Sequence, residues 1–306
     1  MSDAVFEHVF GTPPLDLVGD TSSLLQYSPL VPGAHALEDV AAQTLGSMVM
    51  LAPPGTIERR YALAQALRVL KADATLRVLA PKDKGGSRLA GDLAFLGCTF
   101  HESSKRHHRI CVTQGGGDAK AIAQAIADGA PRFDEELGLW TQPGVFSWNR
   151  IDAGSALLMD HLPEMKGRGA DLGAGLGLLA HAVLRSDKVT SLTLVELDGR
   201  AVACAKRNVT DPRAQVLHAD VRKLNDASLK ALDFIVMNPP FHESGTEDKA
   251  LGQAFLKTAA SLLRKGGVLY AVANRHLPYE ATLKEHFRRV ALIAEGDGFK
   301  VFEAQA

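Results

Sequence analysis

The sequence has few cysteines, few aromatic residues and no long apolar run. Three cysteines without a CxxC pair, in a chain of 306 residues, argue against a disulfide framework and against a cysteine-based zinc site. No stretch approaches the roughly 20 apolar residues that a membrane helix needs. We therefore expect a cytoplasmic protein that binds no metal.

An excess of either charge is also missing, because 34 basic and 35 acidic residues leave a net charge of −1. A nucleic-acid partner would have to be held by a local basic patch rather than by the field of the whole chain. One basic run lies within residues 82–109, where histidines are interleaved with lysines and arginines. This run is either a solvated edge or a binding surface.

Helix-like and strand-like segments alternate along both halves of the chain. The pattern predicts a helix over residues 36–45 and a strand over residues 47–52, and the alternation becomes clearer after residue 167. Gly296-Asp297-Gly298 joins the last two short strands and indicates an antiparallel hairpin. The expected fold is therefore α/β, with a doubly wound, mostly parallel sheet that ends in a hairpin.

A glycine-rich segment follows an apolar strand and precedes a helix. It contains Gly173, Ala174, Gly175 and Gly177, with Asp171 just before it. The spacing is GxGxG and not the GxGxxG of nicotinamide sites, because position 178 is leucine. A carboxylate at this place favours a cationic ligand such as S-adenosylmethionine over a pyrophosphate.

Two further acids end the next two strands of the predicted sheet. Glu196 is placed to accept hydrogen bonds from ribose hydroxyls, and Asp220 to accept one from an adenine amine. Their neighbours Leu197 and Val221 are also predicted to contact the cofactor. Three acids at successive strand ends, together with one glycine loop, indicate an adenosyl site.

The sharpest motif is Asn238-Pro239-Pro240-Phe241, directly after an apolar strand. The two prolines stiffen the loop, so that the Asn238 side chain and the Pro239 carbonyl can both accept hydrogen bonds from one planar NH2 group. This contact aims the nitrogen lone pair at an electrophilic methyl group, and Phe241 offers a face on which a target base can stack. Asn238 is expected to border the cofactor as well.

Three other residues are candidates for the same site. Phe146 could cover the methionine end of the cofactor, and Ser147 could donate a hydrogen bond to a cofactor or substrate oxygen. His242 could remove a proton after transfer or contact an RNA phosphate. Phe146 as an ordinary core residue and His242 as an incidental histidine are the alternatives.

Taken together, these motifs resemble the ribosomal small subunit methyltransferase C type, a family of 16S rRNA guanine-N2 methyltransferases. The resemblance rests on residues 137–139, 144–147, 151–155, 171–177 and 238–242. It is specific from about residue 137 to the end and looser before it.

The resemblance implies two tandem Rossmann-like methyltransferase domains, of which only the second keeps the cofactor site. The expected boundaries are 1–130 for a degenerate first domain, 131–143 for a linker and 144–306 for the catalytic domain. The first domain would help to position RNA, and its candidate phosphate contacts are Lys82, Lys84, Lys105, Arg106 and Arg109.

The expected partner is ribosomal RNA or the small ribosomal subunit, and we expect a monomer, although no residue pattern determines the oligomeric state. Other planar amines remain open as targets: a large-subunit rRNA guanine, an adenine N6 or a protein glutamine. A non-catalytic assembly factor that binds cofactor or RNA is the alternative from a different class.

Overall fold

The computed structural model describes residues 5–224, 229–240, 242–243, 246–247 and 249–306. The chain divides into two compact units, Met1–Pro131 and Arg132–Ala306. Across the described ranges, no helix is both long and apolar enough to cross a membrane.

The first unit contains a six-stranded sheet. Its strands are β1 (His8–Phe10), β2 (Leu25–Tyr27), β3 (Met48–Leu51), β4 (Thr75–Pro81), β5 (Phe100–Lys105) and β6 (His108–Gln114), and its helices are α1 (Leu15–Val18), α2 (Thr56–Val69), α3 (Ser87–Phe95) and α4 (Ala119–Gly129). The strand order is β2-β1-β3-β4-β6-β5, in which β1 to β4 are parallel and β6 is antiparallel to both β4 and β5.

The helix predicted over residues 36–45 is wrong, because only a single 3-10 turn forms there, at Leu37–Asp39. The apolar residues of this segment pack onto the core from an irregular chain: Leu37 is buried, and Val40 and Leu45 contact the core at its border. Tertiary packing therefore overrode the local pattern.

The second unit contains a seven-stranded sheet. Its strands are β9 (Gly167–Leu172), β10 (Val189–Glu196), β11 (Ala214–His218), β12 (Leu232–Met237), β15 (Leu263–Asn274), β16 (Arg289–Gly296) and β17 (Phe299–Gln305), and its helices are α5 (Ala153–His161), α6 (Leu178–Leu184), α7 (Gly199–Asn208), α8 (Lys249–Leu262) and α9 (Tyr279–His286). Two short hairpins, β7 (Arg132–Asp134) with β8 (Leu139–Thr141) and β13 (His242–Glu243) with β14 (Thr246–Glu247), stand outside this sheet.

The order of the second sheet is β11-β10-β9-β12-β15-β17-β16. Strands β9 to β12 and β15 are parallel, and β16 and β17 form the antiparallel hairpin that the Gly-Asp-Gly segment predicts. The α/β fold with a mostly parallel sheet and a terminal hairpin is thus confirmed. In such a sheet, the carboxyl ends of the parallel strands meet at one edge, where ligands bind.

Helices cover both faces of this sheet. Along β12, Phe234 and Val236 belong to one apolar cluster with residues of α5 and α6, while Ile235 and Met237 belong to another with residues of α8. Alternating side chains of a strand point to opposite faces, so a continuous apolar strand requires cover on both sides. Buried faces leave only the strand ends for polar chemistry.

Candidate active site

The glycine segment forms a tight turn between β9 and α6. Gly173, Gly175 and Gly177 all have positive φ angles, of 77°, 53° and 86°. A Cβ atom at Gly177 would lie 2.7 Å from Val209 Cγ2, whereas one at Gly175 would have no atom within 4 Å. Gly177 is therefore required by packing, and Gly175 faces open space in which a ligand can approach the backbone.

Asp171, one residue before the end of β9, is completely buried. Neither of its carboxylate oxygens has a hydrogen-bond partner among the residues that the structure describes. Burial, and secondly the nearby Glu196 carboxylate, raise the pKa of Asp171 to about 8. A buried carboxyl group without partners is costly, so this position favours a ligand that brings a positive charge or a donor.

Glu196 ends β10 and is bound to the glycine turn. Its Oε2 accepts a hydrogen bond from the Gly175 N–H at 2.8 Å, and its Oε1 accepts one from the Asp198 N–H at 2.8 Å. Burial raises the pKa of Glu196, although these backbone bonds oppose the shift. A carboxylate offers about four acceptor sites, so Glu196 keeps acceptor capacity for a further donor such as a ribose hydroxyl. The neighbouring Leu197 carbonyl already accepts from His218 Nε2 at 2.8 Å.

Asp220, just after β11, begins the 3-10 turn Val221–Lys223. Its carboxylate accepts from the Arg222 N–H at 2.9 Å and from the Arg222 guanidinium. Burial alone would raise the pKa of Asp220, but the Arg222 bonds outweigh burial and lower it. An adenine amine would therefore share this carboxylate with Arg222. The Val221 side chain is buried in the core.

Asn238 follows β12, which is parallel to β9, so its side chain reaches the same edge of the sheet. Its Nδ2 donates to Asp152 Oδ2 and to Ser155 Oγ, both at 2.8 Å. Pro239 is buried, and Pro240 is half-buried beside it. Asp152 and Ser155 lie within the motif at residues 151–155, but no local pattern indicates that they are partners of Asn238.

Phe241 and His242 are the two predicted target contacts that follow the prolines. Phe241 lies outside the described residues. His242 begins the short strand β13, where its backbone pairs with Glu247. Their roles stay predictions.

An open pocket brings the glycine turn and Asn238 together. Phe146 lines it with 58% of its surface exposed, which fits a cover for a bound ligand better than a core residue. Ser147 also lines it, but its Oγ donates to the Arg150 carbonyl within the same turn. Leu137 and Leu139 also line it; both belong to the segment 137–139 that contributes to the family resemblance, but nothing in the sequence assigns them to the site.

The β7–β8 hairpin, which carries Leu139, occupies the segment predicted as a linker. Asn208 of α7 fastens it: Oδ1 accepts from the Trp140 N–H at 2.7 Å, and Nδ2 donates to the carbonyls of Trp140 at 3.0 Å and Leu176 at 2.9 Å. The Arg207 guanidinium lies 4.4 Å from the centre of the Trp140 ring. This stretch is therefore an ordered part of the second unit.

We expect Asn208→Ala to destabilise the second unit by about 2 kcal/mol, because three hydrogen bonds are lost and partly buried backbone groups are left without partners. Urea unfolding of the full chain measures the effect, with the exposed Asn149→Ala as the matched control. Equal unfolding midpoints for the two variants would contradict the anchoring role.

The predicted basic residues all lie in the first unit. The Lys82 N–H donates to the His107 carbonyl at 2.9 Å, which joins the end of β4 to the turn between β5 and β6. Lys82, Lys84 and Lys105 are thus brought to one end of the sheet. We call this group of five predicted contacts the basic end. Its Arg106 is paired with Asp16 and its Arg109 with Glu102, so part of its charge is neutralised.

The described residues contain no group of three histidine, cysteine or acidic side chains that could hold a metal ion.

Comparison with known proteins matches residues 136–303 to the family "Methyltransferase small domain". The Ribosomal RNA small subunit methyltransferase C of Pseudomonas paraeruginosa is 35% identical over 236 residues, which cover 75% of this chain and 70% of the relative. The protein of the same name from Pseudomonas fluorescens is 32% identical over 278 residues, covering 89% and 82%.

Among solved structures, the T. thermophilus 16S rRNA N2 G1207 methyltransferase, determined in complex with AdoMet and guanosine, superposes with a TM-score of 0.78 at 25% identity. The match covers 99% of this chain and 88% of that chain. It therefore extends over both units and not over the second alone.

Proposed function

The chain belongs to the family of ribosomal RNA small subunit methyltransferase C within the methyltransferase small domain proteins, and on this premise we propose that it methylates the exocyclic N2 amine of a guanine in small-subunit ribosomal RNA. S-adenosylmethionine is the methyl donor. The observation that carries the proposal is the meeting of the glycine turn, the buried Asp171 carboxyl group, the half-buried Glu196 carboxyl group and Asn238 at one edge of the second sheet. With ribosomal RNA as its substrate, the protein would act in the cytoplasm.

The residues at this edge fit S-adenosylmethionine. Asp171 is a buried carboxyl group without a partner in the described structure, which suits the positive charge of the cofactor. Gly175 leaves open space along the backbone, and Glu196 is held rigidly with acceptor sites to spare for a ribose. Phe146 and Ser147 line the same pocket as Gly175 and Asn238.

When bound, the cofactor supplies an electrophilic methyl group on a positively charged sulfur. The protein residues mainly position the amine: the Asn238 and Pro239 oxygens accept its two hydrogens, which directs the nitrogen lone pair at the methyl group. Because positive charge disperses in the transition state, no metal ion and no strong base is needed. Phe241 and His242 are proposed to contact the target base and its surroundings.

The proposal is tested by methyl transfer from labelled S-adenosylmethionine to separated small subunits, large subunits, naked rRNA and a release factor. Nucleoside digestion and mass analysis should recover N2-methylguanosine from small-subunit material. Label in large-subunit guanine, in N6-methyladenine or in glutamine would overturn the substrate assignment. Cofactor binding without transfer to any substrate would favour a non-catalytic assembly factor.

We propose that the first unit is a degenerate copy of the second. Its six strands in the order β2-β1-β3-β4-β6-β5 correspond in sequence order and direction to β10-β9-β12-β15-β17-β16. In this correspondence, Ala52-Pro53-Pro54 after β3 occupies the place of Asn238-Pro239-Pro240 after β12, so the acceptor amide is replaced by a methyl group. The fully buried Arg59 donates to the Pro53 and Pro54 carbonyls there.

We further propose that the basic end of the first unit contacts RNA phosphates. Lys82→Ala/Lys105→Ala should weaken rRNA binding. It should also reduce the magnitude of the slope of the logarithm of the RNA-binding constant against the logarithm of the salt concentration by about 1.5, since each phosphate contact contributes about 0.7 to 0.9. Lys71→Ala/Lys120→Ala is the matched control, because these exposed lysines lie near the opposite end of β4 and β6. Equal slopes for the two double variants, measured by filter binding, would exclude this surface.

A further inference from the structure

Both hydrogens of the Asn238 amide are engaged within the protein. Nδ2 donates to Asp152 Oδ2 and to Ser155 Oγ, each at 2.8 Å. An ionised carboxylate has acceptor sites and no donor, so the atom of Asn238 that faces Asp152 has to be the NH2 group. The reverse amide orientation would place Oδ1 against a carboxylate oxygen and is therefore excluded electrostatically.

The two acceptors are themselves held in place. Asp152 is the N-cap of α5, and the same Oδ2 also accepts from the Ser155 N–H at 2.8 Å. Ser155 is 7% exposed, and Leu158 one turn later is completely buried against the sheet. Asp152 is therefore fixed by its helix, and through it the Asn238 amide is fixed as well.

We propose that Asp152 and Ser155 are positioning residues that make Asn238 present only its Oδ1 atom to the substrate, which restricts the target to a group that donates a hydrogen bond. This inference rests on the proposed function. On the Watson–Crick edge of guanine, the N2 amine carries donors and O6 is an acceptor, so a fixed Oδ1 selects the amine side of the base. An amide free to rotate would present NH2 in part of the molecules and would bind the base in an unproductive way.

A substitution series at position 152 separates positioning from helix capping. Aspartate, asparagine and serine are about equally good N-caps. Only aspartate and asparagine have a side chain long enough to place an acceptor oxygen at the Asn238 amide. We expect Asp152→Ser/Ser155→Ala to lower kcat roughly 10- to 100-fold, with unchanged affinity for S-adenosylmethionine. Asp152→Asn should retain most of the activity, because its carbonyl oxygen can still accept from both donors.

Asp118→Ser is the matched control, since Asp118 caps α4 of the first unit in the same way without contacting Asn238. Wild-type kcat in Asp152→Ser/Ser155→Ala would overturn the proposal. Equal losses in Asp152→Ser/Ser155→Ala and Asp152→Asn would also overturn it, because they would indicate a structural role.

A second measurement does not depend on catalysis. In protein labelled with ¹⁵N-asparagine, the Asn238 side-chain NH2 signal, assigned by its loss in Asn238→Ala, should exchange slowly with water and should become fast in Asp152→Ser/Ser155→Ala. Fast exchange in the wild type would overturn the inference. If wild-type protein transfers no methyl to guanine, the proposed function fails while the NMR result still decides the orientation of Asn238.

Discussion

Replacing Asn238 with alanine is expected to lower kcat for methyl transfer by roughly 100- to 1,000-fold, the usual loss for a positioned hydrogen-bonding group at a reaction centre. The affinity for S-adenosylmethionine should stay unchanged. Asn238 lies after β12 and makes none of the Glu196 and Gly175 contacts that are proposed to hold the adenosyl group. The substitution therefore removes the acceptor for the target amine and leaves the proposed adenosyl contacts in place.

Single-turnover transfer rates and calorimetric cofactor binding on the full-length variant measure the two effects. Asn149→Ala, an exposed asparagine two residues after Ser147, is the matched control and should retain the wild-type rate. A parallel loss of cofactor affinity and rate in Asn238→Ala would contradict the assignment of its side chain to the target amine.

Asp171→Asn is expected to weaken S-adenosylmethionine binding by about 2 kcal/mol or more, the usual loss when one partner of a buried charge pair is removed. The same substitution should stabilise the free protein at alkaline pH. The pKa of Asp171 is raised from 3.8 to about 8 in the folded state by burial and by Glu196. Between these values the folded chain keeps a proton that the unfolded chain releases, so stability falls as pH rises through this range.

The pH dependence provides the measurement. A cationic cofactor favours the ionised carboxyl group, so binding below about pH 8 should release a proton, and affinity should rise with pH up to that value. Asp171→Asn cannot release this proton. The difference in proton release between wild type and variant therefore measures the ionisation of Asp171 separately from the titration of the cofactor itself. Calorimetry in buffers of different ionisation enthalpy, together with thermal unfolding at pH 5 and pH 8, tests both effects. Identical proton release in the two proteins would show that Asp171 does not face the cofactor.

The basic end of the first unit illustrates a limit of sequence reasoning. Two cationic runs, around Lys82 and around Lys105, are visible in the sequence. That they meet depends on the antiparallel register of β4 and β6, in which Pro81 faces His108. That Arg106 is paired with Asp16 depends on a contact across 90 positions of the chain, which no local pattern encodes.

The sequence by itself determined the chemistry of the site. Glycine spacing, an acid before the loop, acids at strand ends and Asn-Pro-Pro are local patterns whose conformational and electrostatic consequences act within a few residues. The alternating fold and its final hairpin follow from the same short-range rules.

Only the tertiary structure decided which groups control these residues. Asn238 and Asp152 lie 86 positions apart, and their contact exists because α5 and the end of β12 pack at the same edge of the sheet. Within the described part of the chain, the absence of hydrogen-bond partners for Asp171 likewise results from burial among residues that are distant in the chain. Such contacts depend on how whole elements pack. A residue pattern therefore predicts which groups react, whereas the fold determines their orientation and their pKa.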